Sequence, residues 1–99
     1  MMSRAVVITN SLGLHARAAA RFVHTAGAFQ ARVRVAKGAR EMDGKSIMGL
    51  LLLAAAQGST VTITADGVDE IDALTALASL VERGFDEAPF DGALGGPCV

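Results

Sequence analysis

The sequence predicts a two-layer α+β domain in which helices cover one face of a sheet. Three observations predict it. Residues of alternating polarity around Val33, Val35, Val61 and Ile63, and the β-branched run Val6-Val7-Ile8, read as strands. Apolar residues recur at helical spacing in two other segments, which read as amphipathic helices. Together these segments follow one another as β-α-β-β-α-β-α within 99 residues, enough for one small domain and too few for two. With 52% hydrophobic and 19% charged residues, the chain has the material for a packed core.

Residues 4–9 form the first strand. A loop over residues 10–14 follows, with Gly13 as its flexible point. A helix runs from Ala16 to Ala26 and stops at Gly27. At ~100° per residue, Arg17, Arg21 and His24 share one face, and Ala19, Phe22, Val23 and Ala26 the other. Residues 31–36 and 40–42 form a hairpin around Lys37-Gly38-Ala39, with Val33 and Val35 opposite Arg32 and Arg34. After the Asp43-Gly44 turn, Ser46 is a natural N-cap for a short helix over 47–53. Residues 59–65 form the last strand, with Val61 and Ile63 facing in and Thr60, Thr62 and Thr64 facing out. Asp69 is expected to cap a final helix over 70–83, acidic at its start and with Arg83 in its last turn. Its buried stripe is expected to be Ile71, Leu74, Leu77, Ala78 and Val81, and Gly84 ends it. The domain is thus expected over residues 1–84, and residues 85–99 as a loosely ordered tail from which Phe85 at most packs back on the domain.

Composition excludes several function classes. A net charge of −1 and the absence of Trp and Tyr argue against nucleic acid as a partner. No apolar run approaches the ~20 residues of a membrane span, and no secretory signal pattern opens the chain. The single Cys98 has no partner for an internal disulfide, is the second-last residue rather than at the prenylation position, and fits a reducing, cytoplasmic setting. His15 and His24, the two histidines, would lie ~180° apart on one helix, and no cysteine pair assists them, so no metal site is expected. Gly44-Lys45-Ser46 resembles the end of a phosphate-binding loop, but Ala39 stands where that loop needs glycine. No nucleophile–base–acid set is evident, which argues against a small hydrolytic enzyme.

The most informative run is Gly13-Leu14-His15-Ala16-Arg17. It places a histidine where a loop gives way to a helix, beside unpaired amides and the positive end of the helix dipole. Such a terminus suits an anion, phosphate above all. A ring nitrogen there can accept a phosphoryl group and hold it among donors, although the same position also suits an inert polar residue. Ser46 likewise reads either as a simple N-cap or as a hydroxyl open to phosphorylation.

Taken together, Asn10-Ser11-Leu12-Gly13-Leu14-His15-Ala16-Arg17 and Asp43-Gly44-Lys45-Ser46-Ile47-Met48-Gly49-Leu50 closely resemble the two signatures of the histidine-containing phosphocarrier family HPr of the bacterial phosphotransferase system. The resemblance covers residues 4–84. It implies an open-faced sandwich, with an antiparallel four-stranded sheet in the order 1-4-2-3 and three helices on one face. It also implies a carrier without turnover of its own or any cofactor. Enzyme I passes a phosphoryl group to Nδ1 of His15, and the carrier hands it to an enzyme IIA, in sugar transport or in a regulatory branch. The amides of Ala16 and Arg17 and the Arg17 guanidinium would spread the phosphate charge. Leu14, Ala20, Arg21, Met48 and Leu51 would meet partners, Leu50 and Leu53 would belong to the core, and His24 would be a solvated surface residue. The resemblance further implies a monomer, and phosphorylation of Ser46 by an ATP-dependent HPr kinase/phosphorylase in relatives that use that control. One departure stands out: many relatives carry proline where this chain has Ala18, which is similar to some nitrogen-type regulatory members and puts sugar transport in doubt.

Overall fold

A computed structural model describes residues 1–86 of the chain. The tail beyond them, with Pro89, Pro97 and Cys98, lies outside the described residues. The elements are β1 (Met2–Val7), α1 (Ala16–Gly27), β2 (Arg32–Lys37), β3 (Arg40–Asp43), α2 (Ile47–Leu53), β4 (Thr60–Asp66), α3 (Glu70–Glu82) and a single 3-10 turn, Gly84–Asp86. The four strands form one antiparallel sheet in the order β1-β4-β2-β3, as the resemblance implied.

Register follows from which side chains must leave water. Val6 stands opposite Val61, Val35 opposite Ile63, and Val35 on its other side opposite Met42. These residues share the face that the helices cover, and Val6, Val33, Val35, Val61 and Ile63 are buried there with Phe22, Leu50, Leu53, Leu74 and Leu77. Full burial of a side chain such as Leu50 or Ile63 stabilises the fold by about 2 kcal/mol. The opposite face stays polar: Ser3 and Thr64, paired in register, share a hydrogen bond of 2.9 Å between their hydroxyls.

Three expectations are corrected. Ile71 is 62% exposed, and the buried stripe of α3 is Ala73, Leu74, Leu77, Ala78, Leu80 and Val81. On a wheel of ~100° per residue this stripe is turned by roughly 50° from the expected one, towards Ala73 and Leu80, which leaves Ile71 beyond its rim. Asp69 does not cap α3 with its side chain. Its two carboxylate oxygens instead accept the backbone N–H groups of Gln30 and Ala31, both at 2.8 Å, and tie the α1–β2 connection to the start of α3. Arg83 lies just past the helix rather than in its last turn, and donates to Asp86 at 2.8 Å and to the Ser79 hydroxyl at 2.9 Å. Ser46, by contrast, caps α2 as expected: its Oγ accepts the Gly49 N–H at 3.0 Å.

Phe85 belongs to the packed domain. It is fully buried, in a left-handed conformation (φ 58°), and Arg21 of α1 donates to its carbonyl.

Candidate phosphate site at the start of α1

His15 is the N-cap residue of α1, extended at φ −84° and ψ −178° and half-buried. Its side chain makes no capping bond to the helix. Its carbonyl accepts the first bond of the helix, from the Ala19 N–H at 2.8 Å. The amides of Ala16, Arg17 and Ala18 precede any intrahelical acceptor. No acidic residue occupies the first turn of α1, so no side chain of that turn opposes the positive end of the dipole. Contrast α3, whose first turn holds Glu70 and Asp72.

The loop before His15 is pinned rather than flexible. Gly13 has φ +66°, and a Cβ on it would lie 2.5 Å from the Ala55 carbonyl oxygen. Glycine is required there by close approach as well as by conformation. The Leu14 N–H donates to that same Ala55 carbonyl at 2.8 Å, and the ends of the loops meet again where Ile8 exchanges bonds with Gly58 and Ser59 at 2.8 Å each. The connection between α2 and β4 thereby holds the one between β1 and α1.

Arg17 is exposed beside His15, on a groove between α1 and the end of α3 that Arg21, His24, Arg83 and Asp86 also line. Asp86 is the acid in this set: its hydrogen bond to Arg83 holds its carboxyl below the ordinary carboxylate range, and the charges of Arg83 and Arg21 add to that. Arg21 is only half-exposed and is engaged with the Phe85 carbonyl. Leu14 is 7% exposed and sits in the core, so the docking rim expected of it loses that member, whereas Ala20 is exposed.

On α2, Leu50 and Leu53 are buried, while Met48 is 68% exposed and Leu51 lies at the surface with Ile47 and Leu52. Sequence periodicity alone did not single out Ile47 and Leu52, because a seven-residue helix gives too few turns to fix its buried arc. Arg40 and Lys37 of the hairpin donate to the carbonyls of Leu52 and Ala54, at 2.8 and 3.4 Å, and neutralise the negative end of α2. Among the described residues no group of acids, histidines and cysteines could hold a metal ion, and no helix is long and apolar enough to cross a membrane.

The molecule is a small open-faced sandwich whose first helix begins at a histidine, has no acid in its first turn and carries an exposed arginine there. A family model described as "PTS HPr component phosphorylation site" matches residues 2–83. The chain is 47% identical over 87 residues to the phosphocarrier protein HPr of Cupriavidus necator, covering 88% of this chain and 98% of that protein. It is 40% identical over 87 residues to the phosphocarrier protein NPr of Shewanella violacea, with 88% and 96% covered. The crystal structure of HPr from Thermoanaerobacter tengcongensis superposes with a TM-score of 0.85 at 42% identity, over 89% of this chain and 99% of that one. The chain belongs to the HPr family of the phosphotransferase system. It is a phosphocarrier, not a catalytic enzyme.

Proposed function

We propose that His15 receives a phosphoryl group from phospho-Enzyme I and passes it to an enzyme IIA. The observation that carries the reading is the N-terminus of α1, with His15 as its N-cap and no acid in its first turn. In the accepting step a lone pair of the His15 ring, at Nδ1, forms the new P–N bond. The bond from phosphorus to the donor breaks, and its electron pair leaves with the donor. The onward step reverses these roles. The amides of Ala16 and Arg17 and the Arg17 guanidinium take up the negative charge of the phosphoryl oxygens. Arg17 also draws acidic partner surfaces. Met48 and Leu51 supply a small apolar docking patch, Ala20 and Arg21 also meet partners, and methionine adapts to more than one partner.

The test is incubation with Enzyme I and labelled phosphoenolpyruvate. An acid-labile, base-stable label is expected, and His15→Ala abolishes it. A label that survives His15→Ala overturns the reading.

A regulatory, nitrogen-type role is the second reading. It is favoured by Ala18 in the first turn of α1 and by the likeness to an NPr protein. Transfer to a nitrogen-type IIA in preference to a sugar-specific one would decide for it. Ser46 is a second phosphorylation site in this proposal. A phosphate there adds about −1.5 to −2 charges beside the docking patch. It would repel an acidic Enzyme I surface, yet sit well on the α2 N-terminus. An ATP-dependent mobility shift with the cognate kinase, lost in Ser46→Ala, tests it.

A further inference from the structure

We infer that Asn10 is a positioning residue for phosphoryl transfer, a role that rests on His15 being the acceptor. Asn10 is the buried polar residue among those described, 8% exposed, in a core otherwise apolar. Its Nδ2 donates to the Gly13 carbonyl at 2.7 Å, and its own carbonyl accepts the Gly13 N–H at 3.1 Å. The same Gly13 carbonyl accepts the His15 N–H at 2.9 Å. One oxygen is therefore held from both sides, by the Asn10 amide and by the backbone of the histidine.

A buried amide whose acceptor turns away bears its full desolvation penalty. Loop conformations in which the Gly13 peptide rotates are thus disfavoured by Asn10 itself. Ala55 holds the other end of the same peptide, its carbonyl accepting the Leu14 N–H at 2.8 Å. With both ends of the Gly13–Leu14 peptide held, the backbone enters His15 in one arrangement, and the ring keeps its place at the helix mouth as a bulky dianion arrives and departs. Alignment of this kind acts on the transfer step, because a misplacement of ~1 Å can cost up to about a hundredfold in rate. It does not act on docking, which falls to the surface of α2. Asparagine suits the position through its donor: aspartate has the same shape but would turn an acceptor towards the Gly13 oxygen.

The test compares the full chain with Asn10→Ala, Asn10→Ser, Asn10→Asp and the remote core variant Ile63→Val. Two readouts are taken: Enzyme I-dependent phosphorylation kinetics, and hydrogen exchange of backbone amides in the unphosphorylated protein. Asn10→Ala is expected to lower kcat roughly tenfold with KM within about twofold. Its His15 amide should exchange at least about tenfold faster while that of Val61 keeps its protection. Asn10→Asp is expected to match or exceed this loss, and Asn10→Ser serves if either fails to fold. Ile63→Val should leave kcat and the ratio of His15 to Val61 protection unchanged. Asn10 variants with wild-type kcat and His15 protection would overturn the proposal, as would variants that lose protection uniformly. An unlabelled wild-type chain would instead sink the acceptor role of His15, and the exchange data would still judge the clamp.

Discussion

Ala54 ends α2 in the left-handed conformation, φ 52° and ψ 41°, with its N–H bonded to the Leu51 carbonyl at 3.1 Å. A Cβ in that conformation costs roughly 1–2 kcal/mol, and glycine recovers this less its greater unfolded-state entropy. Ala54→Gly is therefore expected to stabilise the fold by about 0.5–1 kcal/mol, read as a higher urea midpoint with unchanged slope. A lower midpoint would contradict the account. The strain was not legible in the sequence, where Ala54 is one of three consecutive alanines after the helix. The same holds for Asn10. Its residue type announced a loop, but only the fold shows that the amide is buried beneath Gly13. The place of His15 at the start of α1 was legible because two signals coincide there, a glycine-bearing loop and the start of an amphipathic helix. Arg21 was half legible: the helical count put it on the right face, but its bond to the Phe85 carbonyl spans 64 residues of sequence separation.

At the scale of elements, strands were read correctly wherever alternation was strict, as in β2 and β4. The first strand is shifted to Met2–Val7 against the expected 4–9, since Ile8, though buried, already leaves the ladder for Gly58 and Ser59. The stripe of α3 was misplaced because Ala73 carries so little hydrophobic signal that Ile71 outweighed it. Helix α2 divides into a packed face and an exposed one. Leu50 and Leu53 face the core, and Met48 faces solvent with Leu51. If that patch docks Enzyme I, Met48→Glu removes an adaptable apolar contact and adds a charge. We expect KM for Enzyme I to rise about tenfold, equivalent to roughly 1.4 kcal/mol, with kcat little changed and thermal stability unaffected. Unchanged KM in steady-state phosphorylation assays would remove α2 from the interface.

At the scale of the whole molecule, long-range ties converge on two connections. One is the loop before His15. The other is the link from α1 to β2, where Asp69 accepts the Gln30 and Ala31 amides. The Gln30 bond, first, and the Ala31 bond, with the nearby Lys45 charge, hold the Asp69 carboxyl below its ordinary value of 3.8. A carboxyl depressed in the folded state contributes stability above its unfolded pKa and loses it as pH falls through the folded one. Stability should hold down to about pH 4 and decline below it. Asp69→Asn should lower Tm at pH 7 and shrink the difference in Tm between pH 7 and pH 3. An undiminished difference would assign the acid sensitivity to other carboxylates, such as Glu70, which the Gly67 N–H and the N-terminal ammonium also hold low.

The first of these connections leads into His15 at the start of α1, the ring on which the proposal places the phosphoryl group. Heteronuclear NMR of the ring nitrogens, before and after treatment with Enzyme I and phosphoenolpyruvate, tests that directly. The account predicts that the resonances of His15 move on phosphorylation while those of His24 stay in place. Movement of His24, or of neither ring in a chain that has taken up phosphate, would contradict it.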